Sequence, residues 1–75
     1  MSYSDEIKKI RKKCFLSQEA FGRELEVSFS SINRWESGKS KPNMIAMKKL
    51  KDFCDGHNID FTALEKQWNN SGEDE

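Results

Sequence analysis

The chain lacks most of what a membrane protein, a disulfide scaffold or an enzyme is built from. No apolar run approaches the roughly 18 residues a transmembrane helix needs, and no apolar leader follows the N-terminus, so neither a membrane span nor a signal peptide is expected. Cysteine is scarce. Small secreted scaffolds carry more than Cys14 and Cys54, which read instead as reduced thiols on apolar helix faces in a cytoplasmic protein. With one histidine, His57, no Ser/His/Asp set can form, and the two distant cysteines complete no metal site. There is no Gly-rich phosphate loop. Alternation at period two is never sustained, which excludes a convincing strand. A chain of 75 residues is one domain at most and leaves little room for a substrate pocket. Catalysis, a cofactor, a metal and a small-molecule substrate are therefore not expected.

Net charge is also missing: 13 basic residues face 13 acidic ones. The balance is uneven, because Glu73, Asp74 and Glu75 sit in a tail with no base. This divides the chain into a domain over residues 1–70 and a short acidic tail over 71–75, expected to be disordered. A DNA partner is not excluded, since several remaining acids fall at helix starts and leave basic surface elsewhere.

What is present is regular punctuation, which predicts an all-α fold, a compact five-helix bundle. Ser4 is placed to cap a first helix with Tyr3, Ile7, Ile10 and Cys14 in one stripe. Ser17 can cap a second, carrying Ala20, Phe21 and Leu25. Ser28 can cap a third, with Ile32 and Trp35 inward and Gly38 as its stop. Asn43, after Pro42, can cap a fourth that holds Met47, Leu50 and Cys54 and ends at Gly56. Asp60 can cap a fifth carrying Phe61, Leu64 and Trp68.

Only Glu26, Val27 and Ser28 join the second helix to the third. So tight a link forces a steep crossing, the geometry of a helix-turn-helix. Gly22 would let the two backbones approach, and Val27 would plug the turn. At 100° per residue, Phe29, Ser30, Asn33, Arg34 and Ser37 share an arc of about 140° opposite Ile32 and Trp35. Arginine can bind guanine O6 and N7 together, asparagine adenine N6 and N7, and an exposed Phe can meet a thymine methyl. The face is a plausible reading head for a major groove; alternatively Phe29 folds back on the turn, and Asn33 and Arg34 are ordinary solvated side chains.

Leu16-Ser17-Gln18, followed by Ile32-Asn33-Arg34-Trp35-Glu36-Ser37-Gly38-Lys39 and Lys41-Pro42, resembles the Cro/C1 (XRE) family of phage repressors and bacterial regulators. The resemblance spans about residues 5–67, on the lambda-repressor-like helix-turn-helix fold. It implies that Phe29, Ser30, Asn33 and Arg34 face base edges, and that Gln18, Ser31, Ser37, Lys39 and Lys41 meet or approach phosphates. It implies an ion pair between Arg11 and Glu36 that staples the first helix to the third. The family's last helix often makes the dimer contact, here Phe61, Leu64 and Trp68, although these residues could equally be core. Two positions depart from the pattern: Glu26 and Phe15 stand where the family often has glycine. Glu26 would then be strained if the turn keeps φ > 0, and Phe15 either covers the core edge or is an exposed contact.

The expectation is a sequence-specific regulator of double-stranded DNA. As a homodimeric repressor it would set the third helix, about residues 28–37, in successive major grooves of an inverted repeat. The alternative is an antitoxin or interaction module whose last helix holds a protein partner.

Overall fold

Hydroxyl and amide side chains set where the helices begin. The computed structural model describes residues 2–70, which form α1 (Tyr3–Lys13), α2 (Gln18–Leu25), α3 (Phe29–Glu36), α4 (Met44–Gly56) and α5 (Thr62–Asn70), and no strand occurs among the described residues. Ser17 Oγ accepts from the Ala20 N–H, Ser28 Oγ from Ser31 and Asn43 Oδ1 from Ala46. Each thus satisfies one N–H that the helix itself leaves without an acceptor.

Three boundaries differ from expectation. Ser2, not Ser4, caps α1: Ser2 is extended and accepts from Asp5, while Ser4 lies within the first turn with its hydroxyl 2.8 Å from that of Ser2. The Tyr3 hydroxyl donates to the Ser40 carbonyl at 3.1 Å and so ties the first residue of the helix to the loop after α3. Gly56 does not stop α4; it is still helical, and the reversal comes at Asn58, with φ 57°. Asparagine tolerates this left-handed region because its short polar side chain bonds locally. Phe61 immediately precedes α5, its carbonyl accepting from Glu65, while Asp60 accepts from the Thr62 N–H. The expected acidic tail over 71–75 lies outside the described residues.

The core is built from one stripe of each helix. Ile7 and Ile10 of α1, Phe21 and Leu25 of α2, Ile32 and Trp35 of α3, Met47, Leu50, Phe53 and Cys54 of α4, and Leu64 of α5 are buried together. Phe21 and Phe53 meet edge to face at 5.2 Å between centroids, a favoured arrangement of ring quadrupoles. Helix α1 lies against α3 and α5, and α2 lies against α3 and α4. Leu64 is 1% exposed, so the dimer contact expected of it is corrected: it faces the interior of its own chain and offers nothing to a partner.

Candidate nucleic-acid interface

The close crossing of α2 and α3 depends on Gly22. A Cβ there would lie 2.9 Å from the Val27 carbonyl oxygen, closer than carbon and oxygen tolerate, so only glycine admits the turn as built. The Val27 N–H in turn donates to the Gly22 carbonyl at 2.9 Å. Between them Glu26 takes φ 59° and ψ 43°, the left-handed conformation in which a side chain is strained. The Lys49 ammonium donates to the Glu26 carbonyl at 3.2 Å and anchors the turn to α4. Phe15 is left-handed as well, with φ 58°, and is 94% exposed, so it does not cover the core edge.

Seating α3 by Ile32 and Trp35 turns Phe29, Ser30, Asn33, Arg34 and Ser37 outward, all of them exposed. Phe29 is 52% exposed and does not fold into the core. Arg34 forms no salt bridge among the described residues, which leaves its guanidinium free to reach outward. An eight-residue helix is about 12 Å long, commensurate with the width of a major groove. Helix α3 ends through Ser37, and Gly38, with φ 78°, turns the chain into the basic loop.

The flanking residues are less uniform. Lys39 and Lys41 are exposed on the loop, and the Lys41 ammonium sits 4.9 Å above the Trp68 ring, a cation–π contact. Ser31 is half-buried, and its hydroxyl pairs with that of Ser28 at 3.0 Å. It lines a shallow cavity of about 270 Å³ between α3 and the start of α4, shared with Lys41, Asn43, Ile45 and Lys49. The Ser37 hydroxyl donates back to the Arg34 carbonyl at 3.2 Å.

A buried ion pair underlies this surface. Arg11 donates to Glu36 twice, from Nε at 2.7 Å and Nη2 at 2.9 Å, and its Nη1 donates to the Leu16 carbonyl at 2.9 Å. One guanidinium thus holds α1, the α1–α2 link and the end of α3 together. Sequence reasoning missed where Gln18 goes. Its Nε2 donates to Glu36 at 3.0 Å and its Oε1 accepts from Asn33 Nδ2 at 3.2 Å, so it bridges the buried pair to the exposed face. The available signal was that Asn33 and Glu36, three apart on a helix, share a face toward the start of α2.

Phe61 and Trp68 are half-buried. The Trp68 indole donates to the Pro42 carbonyl at 2.6 Å, pinning α5 to the loop after α3. Together with Met44, which is 73% exposed, and Met47 they border a shallow apolar groove between α4 and α5. No group of three or more potential metal ligands occurs among the described residues, and none of their helices is long and apolar enough to cross a membrane.

A tight helix pair with its second helix seated by core residues and its polar side exposed defines a helix-turn-helix domain. A family model described as Helix-turn-helix matches residues 7–57, and the chain belongs to the Cro/C1-type (XRE) helix-turn-helix family of DNA-binding transcriptional regulators. Among similar proteins is the HTH-type transcriptional activator BcrR of Enterococcus faecalis, 36% identical over 53 residues. That match takes in 71% of this chain but 26% of the relative, so the chain spans about a quarter of that protein's length. No solved structure matches the chain.

Proposed function

We propose that this chain binds double-stranded DNA sequence-specifically and regulates transcription, with α3 in the major groove. The observation that carries the reading is the exposed face of α3, polar apart from Phe29, on a helix locked in place by Ile32, Trp35 and the Arg11–Glu36 pair. In this reading Phe29, Ser30, Asn33 and Arg34 meet base edges, and Ser31, Ser37, Lys39 and Lys41 meet phosphates. Gln18 keeps a place beside the backbone, at the start of α2, but its amide is shared with Asn33 and Glu36.

Two copies would bind as a homodimer, with half-sites about 34 Å apart on an inverted repeat. Phe61 and Trp68, with Met44 beside them, are the residues we assign to the contact; Leu64 has no part in it. Bound across a promoter, such a dimer represses by excluding polymerase. The activator designation of the Enterococcus faecalis relative makes the opposite sign the informative alternative, and a reporter with the operator moved relative to the promoter separates the two.

The first test is selection of bound duplexes from a random pool at about 150 mM salt. An enriched inverted repeat is expected; a single enriched half-site removes the dimer and keeps the reading head, and no enrichment from folded protein refutes the proposal. If roughly 6–10 phosphates are engaged, raising salt from about 50 to 200 mM should weaken binding about 10³–10⁵-fold. Arg34→Ala should cost about 1–3 kcal/mol and relax preference at one base pair. A uniform loss across all sequences would show instead that Arg34 touches only backbone.

A further inference from the structure

We propose that Gln18 is a specificity-positioning residue: through it the buried Arg11–Glu36 pair fixes which edge of the Asn33 amide reaches the DNA. The proposal rests on α3 being the reading helix. It begins from a constraint of hydrogen-bond polarity. Arginine is always a donor, and Glu36, as its partner, offers only acceptor oxygens. The Glu36 side chain is 2% exposed and that of Arg11 13%, so neither reaches the DNA. Glu36 Oε1 takes Gln18 at 3.0 Å, and the atom presented to it must be Nε2, because the amide oxygen would meet the carboxylate acceptor to acceptor. That orientation puts Gln18 Oε1 at the far end, where it can only accept. Asn33 therefore turns its Nδ2 inward, at 3.2 Å.

What remains outward on Asn33 is Oδ1 and one Nδ2 hydrogen. In the major groove adenine offers an N6 donor beside its N7 acceptor, and cytosine offers an N4 donor. Guanine and thymine present only acceptors at the corresponding positions, N7 and O6 or O4. An Asn33 held in this orientation selects a base that donates, adenine first, because the second Nδ2 hydrogen can then meet N7. An Asn33 released from Gln18 can rotate its amide by half a turn and offer both hydrogens to guanine or thymine. The identity of one operator base is thus set by a charge on α1 that lies outside the helix-turn-helix.

The experiment uses the duplex enriched by the wild-type protein. Asn33→Ala locates the position Asn33 reads, by the site at which discrimination collapses. All four base pairs are then placed there, and binding is followed by fluorescence anisotropy for the wild type and for Gln18→Leu. Gln18→Met, which keeps the length of the side chain, stands in if the first variant unfolds. The wild type should prefer a donating base by about tenfold or more over guanine and thymine, the scale of one good base contact. Either Gln18 variant should reduce that ratio to within about threefold, while discrimination at the position read by Arg34 stays unchanged. A variant that weakens binding to every sequence by the same factor would overturn the proposal, since that is the signature of a lost phosphate contact or a loosened fold. So would an Asn33→Ala protein whose preferences match the wild type at every position. A wild-type protein that enriches no sequence refutes the underlying DNA reading, and is distinguished from these outcomes by occurring before any variant is made.

Discussion

Replacing Phe15 and Glu26 by glycine should stabilise the domain, although both changes delete a side chain. Each residue sits in the left-handed region, at φ 58° and 59°. For an L-residue that conformation costs about 1–2 kcal/mol, because Cβ crowds the following carbonyl oxygen. Glycine removes the clash but loses more chain entropy on folding, about 0.5–1 kcal/mol. The difference is a net gain of about 0.5–1 kcal/mol per site. Little burial is given up, since Phe15 is 94% exposed and Glu26 is exposed. The hydrogen bond that Glu26 receives from Lys49 goes to its carbonyl and survives the change. The sites flank opposite ends of α2, about 12 Å apart along its eight residues, so the gains should add. In a domain of this size about 1 kcal/mol shifts the melting temperature by about 4–8 °C, so the double variant, gaining about 1–2 kcal/mol, should melt roughly 4–16 °C higher. Thermal unfolding followed by circular dichroism reads this directly. Phe15→Ala and Glu26→Ala are the controls, because alanine loses the side chain but keeps Cβ. Glycine variants no more stable than the alanine ones would show that the strain argument is wrong.

Three further outcomes follow from the same contacts. Ser2→Ala, Ser17→Ala and Ser28→Ala should each cost about 1 kcal/mol in urea unfolding through loss of a cap, and Ser4→Ala distinctly less, since Ser4 caps nothing. Glu36→Ala should cost about 3 kcal/mol by leaving the largely buried Arg11 uncompensated, and pairing it with Arg11→Met should recover part of the loss; a double variant no better than the single would place the cost elsewhere. Burial, helped by the nearby Asp55 charge, pushes the Cys54 thiol from 9.0 up to about 11. The unfolded chain therefore releases this proton first, so the contribution is intact below about pH 9 and is lost as pH rises toward 11. Urea unfolding at pH 8 and pH 10 should show a smaller drop for Cys54→Ala than for the wild type.

How far the sequence could be read depended on whether a feature was local. Ser17, Ser28 and Asn43 were legible as caps because a cap is decided within three residues, by a side chain and the N–H it accepts. The steep α2–α3 crossing was legible because a three-residue link permits little else, and Gly22 because a close approach demands it. The misreadings of Ser4 and Leu64 involved a distant partner, and that of Gly56 a reversal two residues further on. Ser4 reads as the cap from the acids that follow it, whereas Ser2 is the cap, and nothing local reveals that the Tyr3 hydroxyl at the first turn reaches Ser40, 37 residues away. Residue type alone places a stop at Gly56, whereas the chain reverses at Asn58, where the Ile59 N–H finds the Cys54 carbonyl at 2.8 Å. Leu64 was offered to a partner because an apolar stripe looks the same whether it faces its own core or another chain. Gln18 is the instructive case. Its position at the start of α2 is a local fact, but its amide is claimed by two residues of α3, 15 and 18 positions away. A reading face inferred from helical periodicity treats each side chain as independent. The hydrogen-bond chain from Arg11 through Glu36 and Gln18 makes the Asn33 amide dependent on a buried charge, so on the proposed reading specificity would reside partly in residues that periodicity assigns to the interior.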